Sequence, residues 1–185
     1  MEHKKHEWDI LSEKVIYDNP WISLIHHDVI NPSGNPGIYG KVHFKNIAIG
    51  ILPLEEDNTL HLIGQFRFVL QQYSIEIPEG GGPLEEDPLF AARRELLEET
   101  GLTADRWDKI LEMHMSNSVT DEFCIVYLAR SLTKGKAIPE ETEKLEHIKV
   151  PFDQAYQMVM ENKISDAISV AAILKLRLMQ MEGKI

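Results

Sequence analysis

The sequence predicts an α/β protein with a small β-extension at its N-terminus. Three observations predict this class. Residues 48–54 are continuously apolar, which is typical of a strand that is covered on both faces. Residues 88–100 form a helix with clear end signals, and two further helices are predicted within residues 151–181. Residues 21–44 alternate between apolar and polar side chains on either side of a turn, as in a β-hairpin.

The length and composition fit one main domain. The chain has 185 residues, of which 43% are hydrophobic and 26% are charged. This is enough for one well-buried core, and neither a Pro/Ser-rich linker nor an internal repeat indicates a second one. We therefore expect an N-terminal β-extension over residues 1–44 and the main domain over residues 45–185.

The charge and the cysteine content limit the partners and the compartment. The formal charge of −11 argues against nucleic acid or an anionic membrane as the main partner. Cys124 is the only cysteine, so no disulfide can form within one chain. The first ten residues contain no apolar run, and residues 47–54 are too few to span a bilayer. We expect a cytoplasmic protein.

The other elements follow from periodicity and turn residues. Residues 8–16 carry apolar side chains at strand-like intervals, and strands are predicted at Trp21–Ile30 and Ile38–Phe44. In the main domain, Leu60–Phe68 is predicted to return antiparallel to Ala48–Leu54. The remaining predictions are strands at Tyr73–Pro78, Trp107–Met115 and Phe123–Ala129, a helix from Pro151 to Met160, and a last helix that Ser165 or Asp166 caps.

A glycine-rich turn over residues 80–83 leads into the first helix. Asp87 is a good N-cap, and Pro88 suits the first helical position. Gly101 suits the left-handed residue that follows the last turn. The helix between these signals is predicted to have about three turns.

Three glutamates share one face of this helix. Glu95, Glu98 and Glu99 are spaced i, i+3 and i+4, which places their Cβ atoms roughly 5–6 Å apart. Like charges at this spacing are unfavourable, and a divalent cation would offset them. Carboxylate oxygens are the ligands that Mg²⁺ and Mn²⁺ prefer. A solvated helix surface can carry the same residues, so the spacing by itself leaves both interpretations open.

The longer pattern around these glutamates resembles the Nudix box. From Gly80 the pattern is one glycine, five residues, Glu86, seven residues and Arg94-Glu95-Leu96. It continues with one residue, Glu98-Glu99, one residue and Gly101-Leu102, so that every fixed position of a 23-residue motif is matched. The resemblance implies the Nudix fold, an α/β/α sandwich with a mixed sheet.

The same resemblance implies the metal ligands. They are Glu95, Glu98 and Glu99, with the backbone carbonyl of Glu79, and the implied cofactor is Mg²⁺, with Mn²⁺ as an alternative. Arg94 and Glu86 match positions that in the family mostly hold the loop and the helix together. The implied reaction is metal-dependent hydrolysis of a pyrophosphate bond.

The chain is most similar to the Nudix enzymes that act on ADP-ribose and other nucleoside diphosphate sugars. In that group an N-terminal sheet commonly exchanges between two subunits, which implies a homodimer here and a substrate contact for Trp21. The resemblance also implies substrate contacts for Arg67 and Glu122. The group's Ser-Pro-Gly motif is replaced by Ser116-Asn117-Ser118, which keeps other sugar nucleotides open beside ADP-ribose.

The resemblance implies that a glutamate on a late loop takes the proton from water. Glu141 best matches this base and Glu143 a supporting residue, and Glu98 is counted with both the catalytic residues and the metal ligands. Two alternatives stay open: a catalytically silent sensor of sugar nucleotides, and a Nudix enzyme for dinucleoside polyphosphates or for sanitising the nucleotide pool. A Rossmann-type site is excluded because Gly80-Gly81-Gly82 lacks the GxGxxG spacing.

Overall fold

The structure is a computed structural model that describes residues 7–135 and 145–185. In these ranges the strands are β1 (Asp9–Asp18), β2 (Ile22–Ile30), β3 (Pro36–Phe44), β4 (Asn46–Pro53), β5 (Thr59–Arg67), β6 (Gln72–Glu76), β7 (Glu79–Pro83), β8 (Leu102–His114), β9 (Phe123–Lys134) and β10 (Glu146–Pro151). The helices are α1 (Pro88–Thr100), α2 (Phe152–Met160) and α3 (Ala167–Met181). No helix in the described ranges is both long and apolar enough to cross a membrane.

The chain divides into two compact units. The N-terminal unit comprises the residues through Asn46 together with His114–Glu122, and the main unit comprises Ile47–Met113 and Phe123–Ile185. In the N-terminal unit, β1, β2 and β3 form an antiparallel sheet in this order, which confirms the strands predicted there.

The segment that joins β8 to β9 belongs to the N-terminal unit. The Tyr39 hydroxyl donates a hydrogen bond to the carbonyl of Ser118 at 2.7 Å. Asp121 accepts a bond from the backbone N–H of Phe44 at 2.9 Å. These bonds cross a large separation in sequence, which periodicity along the chain does not reveal.

The main unit contains a four-stranded sheet in the order β7-β4-β9-β8 and a three-stranded sheet in the order β10-β5-β6. Strand β4 is parallel to β9, whereas β5 is antiparallel to both of its neighbours, so strands run in both senses and the α/β class is confirmed. The predicted pairing of Leu60–Phe68 with Ala48–Leu54 was wrong. Only an isolated bridge between Leu54 and Leu60 joins them, because β7 and β9 occupy the two edges of β4.

The glycine-rich segment is a strand and not the predicted turn. Strand β7 pairs with β4 at the edge of the four-stranded sheet, next to α1. A Cβ atom on Gly82 would lie 2.8 Å from Cβ of Ala91 in the helix. Glycine therefore lets the helix pack closely on this strand. The buried residues Ile49, Ile51, Ala91, Ala92 and Leu96 form the core beneath the contact.

The ends of the helices agree with the sequence. The side chain of Asp87 accepts a hydrogen bond from the backbone N–H of Leu89 at 3.0 Å, and Gly101 has φ 69°. Of the two residues predicted to cap the last helix, Asp166 does so, accepting a bond from the N–H of Ser169 at 2.7 Å. The caps use contacts between residues that are close in sequence, which is why they could be predicted.

Candidate active site

The glutamates of α1 face the strand that precedes the helix. One carboxylate oxygen of Glu99 accepts a hydrogen bond from the backbone N–H of Glu79 at 3.1 Å. The carboxylate of Glu95 lies against Gly80, where an added Cβ atom would be 2.2 Å from the carboxylate carbon. The predicted residues Glu79, Glu95 and Glu99 are therefore close together. A side chain at position 80 would displace Glu95.

Arg94 connects the helix to β7, which confirms the role that its motif position implied. Its guanidinium donates to the carbonyl of Gly81 at 2.9 Å. It also forms ion pairs with Glu95 and with Glu98, each at 2.8 Å. Partial burial by itself would lower the pKa of Arg94, but the charges of the two glutamates outweigh it and raise that pKa. Arg94 thus offsets part of the negative charge on this face.

Arg67 lies at the end of β5 and pairs with two acids. Its guanidinium is 2.5 Å from Glu76 and 2.5 Å from Glu79. Burial by itself would lower the pKa of Arg67, but its bonds to Glu76 and the charge of Glu79 raise that pKa. Burial opposes ionisation of Glu76, yet its bond to Arg67 lowers its pKa. Arg67 is held by protein carboxylates in the state that the structure describes.

Glu76, Glu79 and Asp166 form a cluster that we call the acidic triad. A ligand oxygen from each of these residues lies within 4.8 Å of the other two. Burial raises the pKa of Glu79 well above its ordinary value, and the charges of Asp166 and Glu76 raise it further. One oxygen of Glu79 is buried and has no hydrogen-bond partner among the described residues.

Two members of the triad were missed in the sequence. Glu76 stands between Ile75 and Ile77 in a strand that leads into the core, and a charged residue in such a place indicates a buried ion pair. Asp166 was interpreted only as a helix cap. No local signal connects it with Glu76, because the two residues are brought together by tertiary packing alone.

The other predicted substrate residues lie in the N-terminal unit. Trp21 is exposed, and its backbone N–H donates to the side chain of Asn19 at 2.8 Å. Glu122 is partly buried, and its carbonyl accepts a bond from Met115 at 3.1 Å. Neither residue lines the cavity of about 430 Å³ in this unit, whose walls include Trp8 and Tyr39. The substrate roles of Trp21 and Glu122 stay predictions.

The predicted catalytic residues Glu141 and Glu143 belong to a loop that was predicted from the sequence. Glu141 and Glu143 lie outside the described residues. The assignment of the general base to either of them therefore rests on the sequence. The structure describes Glu98 on α1, where it pairs with Arg94.

The fold and the glutamates that α1 holds against β7 agree with the hydrolase class that the family match indicates. The chain belongs to the Nudix family: the NUDIX domain matches residues 45–170. Residues 8–42 match a second domain, described as the nucleoside diphosphate sugar hydrolase N-terminal domain. These matches confirm the resemblance stated from the sequence.

Related proteins align with nearly the whole chain. The chain is 30% identical to the ADP-ribose pyrophosphatase of Bacillus subtilis over 95% of both sequences. It is 28% identical to the methanol dehydrogenase activator of Bacillus methanolicus over 96% of both. A crystal structure of an ADP compounds hydrolase superposes with a TM-score of 0.87 at 20% identity, over 98% of this chain and 99% of that one. The last comparison confirms the predicted fold.

Proposed function

We propose that this protein hydrolyses the pyrophosphate bond of ADP-ribose or of a related nucleoside diphosphate sugar. Water would add to one phosphorus as the bridging P–O bond breaks, and the products would be a nucleoside monophosphate and a sugar phosphate. The observation that carries this proposal is the contact of Glu95 and Glu99 with β7, where the Nudix family binds its metal. The N-terminal match to nucleoside diphosphate sugar hydrolases supports the substrate class.

The residues of this site fit a divalent cation. Three carboxylates on α1 provide hard oxygen ligands, and Arg94 pairs with two of them, Glu95 and Glu98. We propose Mg²⁺, with Mn²⁺ as an alternative, held by Glu95, Glu98, Glu99 and the carbonyl of Glu79. When bound, the cation would screen the diphosphate charge and lower the pKa of bound water.

The protein's own groups would position the substrate and remove the proton. The bond from Glu79 N–H keeps the Glu99 carboxylate against β7, and Arg94 orients Glu95 and Glu98. We propose that Glu141, with Glu143 as the alternative, takes the proton of the attacking water. A glutamate with an ordinary pKa of about 4.3 is ionised at neutral pH and can accept it.

The substrate contacts are proposed on the same family grounds. A guanidinium can bind phosphate oxygens in a bidentate manner, which suits Arg67. Trp21 and Glu122 are proposed to contact the rest of the sugar nucleotide. For Arg67 this requires release from the two acids that bind it in the structure.

We also propose that the protein is a homodimer in the cytoplasm. Strand β1 is exposed along its length, including the apolar side chains of Ile10, Leu11, Val15 and Ile16. A second copy of the chain would cover this surface. Sedimentation at several protein concentrations tests this, and a monomer throughout the range would contradict it. A reducing compartment is supported by the single cysteine.

The proposed reaction is tested with a panel of substrates. ADP-ribose, several nucleotide sugars and a dinucleoside polyphosphate are incubated with the protein and Mg²⁺, and the products are identified. We expect a nucleoside monophosphate and a sugar phosphate, and we expect Glu98→Gln to reduce turnover strongly. Stoichiometric binding without product would favour the sensor, and preferred cleavage of the dinucleoside polyphosphate would move the assignment to another Nudix group.

A further inference from the structure

The acidic triad is assembled from three separate elements of the main unit. Glu76 ends β6, Glu79 begins β7, and Asp166 caps α3. Their ligand oxygens lie within 4.8 Å of one another, which is close enough for one ion to contact all three. None of these side chains belongs to the carboxylate face of α1.

An unpartnered oxygen lies within the triad. The Glu79 side chain is only 10% exposed. One of its oxygens pairs with Arg67, whereas the other is buried without a hydrogen-bond partner in the described ranges. A buried carboxylate oxygen that lacks a partner is costly, because it has lost its hydration and gained no bond in exchange. A proton shared with the neighbouring carboxyl of Glu76 would satisfy it, and so would a ligand that supplies positive charge in place of that proton.

The charges of the triad are not balanced. Three carboxylates meet there, and Arg67 is the cationic side chain that forms an ion pair with them in the part of the chain that the structure describes. One guanidinium leaves one formal negative charge while Glu79 holds a proton and two when all three acids are ionised, so a cation that binds here displaces that proton. A divalent cation matches this excess, and its preference for oxygen ligands matches the donor set.

Arg67 is more exposed than the two acids that it pairs with. The side chain of Glu76 is 3% exposed and that of Glu79 is 10% exposed, whereas that of Arg67 is 37% exposed. The two acids are the more buried partners, and the arginine is the partner with more access to solvent. A cation that binds the acids would therefore displace the arginine rather than the carboxylates.

We propose that Glu76, Glu79 and Asp166 form a second binding site for a divalent cation, and that the cation competes with the Arg67 guanidinium for Glu76 and Glu79. Binding would release Arg67 to contact the diphosphate of the substrate, and this last step rests on the proposed function. Glu79 would thus affect substrate binding indirectly, through the cation that it binds and the arginine that this cation displaces. Its cation is of the hard, oxygen-preferring class, and Mn²⁺ serves as the probe.

The number of Mn²⁺ ions bound by the full chain tests the site. Titration followed by calorimetry and by electron paramagnetic resonance compares the wild-type with Glu79→Gln and Asp166→Asn. The Glu79→Gln variant keeps the backbone carbonyl, and asparagine still caps a helix, so both variants retain the local structure. Circular dichroism checks their folding. We expect each variant to bind one ion fewer than the wild-type, or to bind that ion at least tenfold more weakly.

Matched variants separate this proposal from the proposed function. Glu56→Gln removes an exposed carboxylate outside both clusters and should bind Mn²⁺ as the wild-type does. Triad variants that titrate like Glu56→Gln, while Glu98→Gln loses an ion, would overturn the second site alone. A Glu98→Gln variant with unchanged Mn²⁺ binding and unchanged turnover would overturn the proposed function instead.

The competition with Arg67 has its own test. Arg67→Met removes the guanidinium and leaves Glu76 and Glu79 without their ion pair to Arg67, so the triad should bind Mn²⁺ several-fold more tightly than in the wild-type. If Arg67 only stabilises the structure and does not compete with the cation, its removal should not increase the affinity for Mn²⁺. Unchanged or weaker binding in this variant, measured on protein that circular dichroism shows to be folded, would overturn the exchange.

Discussion

The main unit contains two groups of carboxylates that differ in how they are built. Those of α1 come from one helix, at a spacing that the helical period dictates, and Arg94 bonds to them from the same helix. Those of the acidic triad come from β6, β7 and the cap of α3, and Arg67 reaches them from β5. The first group is visible in a short stretch of sequence, whereas the second exists only in the folded chain.

The two arginines differ in the burial of the acids that they hold. Beside Arg94 the side chains of Glu95 and Glu98 are 12% and 28% exposed, whereas those of Glu76 and Glu79 beside Arg67 are 3% and 10% exposed. A partly exposed ion pair contributes little to stability, but removal of one partner from a buried pair leaves an uncompensated charge. The comparison teaches that the ion pair of Glu98 is the most accessible to water, and that the deeply buried Glu76 depends most on its arginine.

The largest effect is expected for Glu99→Gln. The amide oxygen of glutamine can still accept the bond from Glu79 N–H, so the fold should persist while one charged ligand is lost. Changes around a metal site typically cost about 10–100-fold in affinity or activity, and a lost ligand should cost more than about 100-fold. Turnover of the best substrate is measured beside Glu85→Gln, an exposed control from the preceding loop. Near wild-type turnover in Glu99→Gln would contradict the assignment of Glu99 as a metal ligand.

The contrast between the two arginines predicts a difference in stability. Arg67→Met should lower the free energy of unfolding by up to about 3 kcal/mol, because Glu76 stays buried without its partner. Arg94→Met should cost less than Arg67→Met, on the order of 1 kcal/mol, because Glu98 is more accessible to water than Glu76 is. Urea denaturation of both variants without divalent cations measures this. A larger loss for Arg94→Met would reverse the comparison.

Two glycines of β7 contact α1 in different ways: Gly82 faces the packed Ala91, and Gly80 faces the proposed metal ligand Glu95. Alanine at position 82 would meet Cβ of Ala91, which cannot move away, so Gly82→Ala should cost about 1–3 kcal/mol of stability. Alanine at position 80 would meet the flexible carboxylate of Glu95 instead. Gly80→Ala should therefore weaken Mn²⁺ binding more than it changes stability.

Gly40→Ala is the control for both substitutions, since nothing lies within 4 Å of the added Cβ atom there. Stability is measured by urea denaturation and cation affinity by calorimetry. Equal stability losses for Gly80→Ala and Gly82→Ala would show that both glycines serve packing only.

The smallest effect concerns pH, and its sign differs within the triad. The pKa of Glu76 is lowered, so its contribution to stability is present above its ordinary pKa of 4.5 and is lost as the pH falls through the lowered value. The pKa of Glu79 is raised from 4.5, so its contribution is present at low pH and is lost as the pH rises through the raised value.

The free energy of unfolding of each glutamine variant, measured from about pH 3 to about pH 8 without divalent cations, should follow these signs. The deficit of Glu76→Gln should shrink in acid. Glu79→Gln should become more stable relative to the wild-type as the pH rises. A shift of the same sign in both variants would contradict the charge distribution described for the triad.

Much of the local structure could be predicted from the sequence. The caps Asp87 and Gly101, the glutamate face of α1 and the role of Arg94 all depend on residues a few positions apart. The three strands of the N-terminal unit followed from alternation and turn residues. The glycine segment was predicted as a turn because composition cannot distinguish a flexible loop from a strand that needs room for a helix.

By itself, the sequence determined the family, the carboxylate face of α1 and the ends of the helices, because these depend on local spacing and on hydrogen bonds within a few residues. Only the tertiary structure decided that β5 pairs with β10 and β6, that residues 114–122 join the N-terminal unit, and that Asp166 meets Glu76 and Glu79. The physical reason is that sheet edges and buried charges select their partners by packing, and packing brings together residues whose separation along the chain carries no signal.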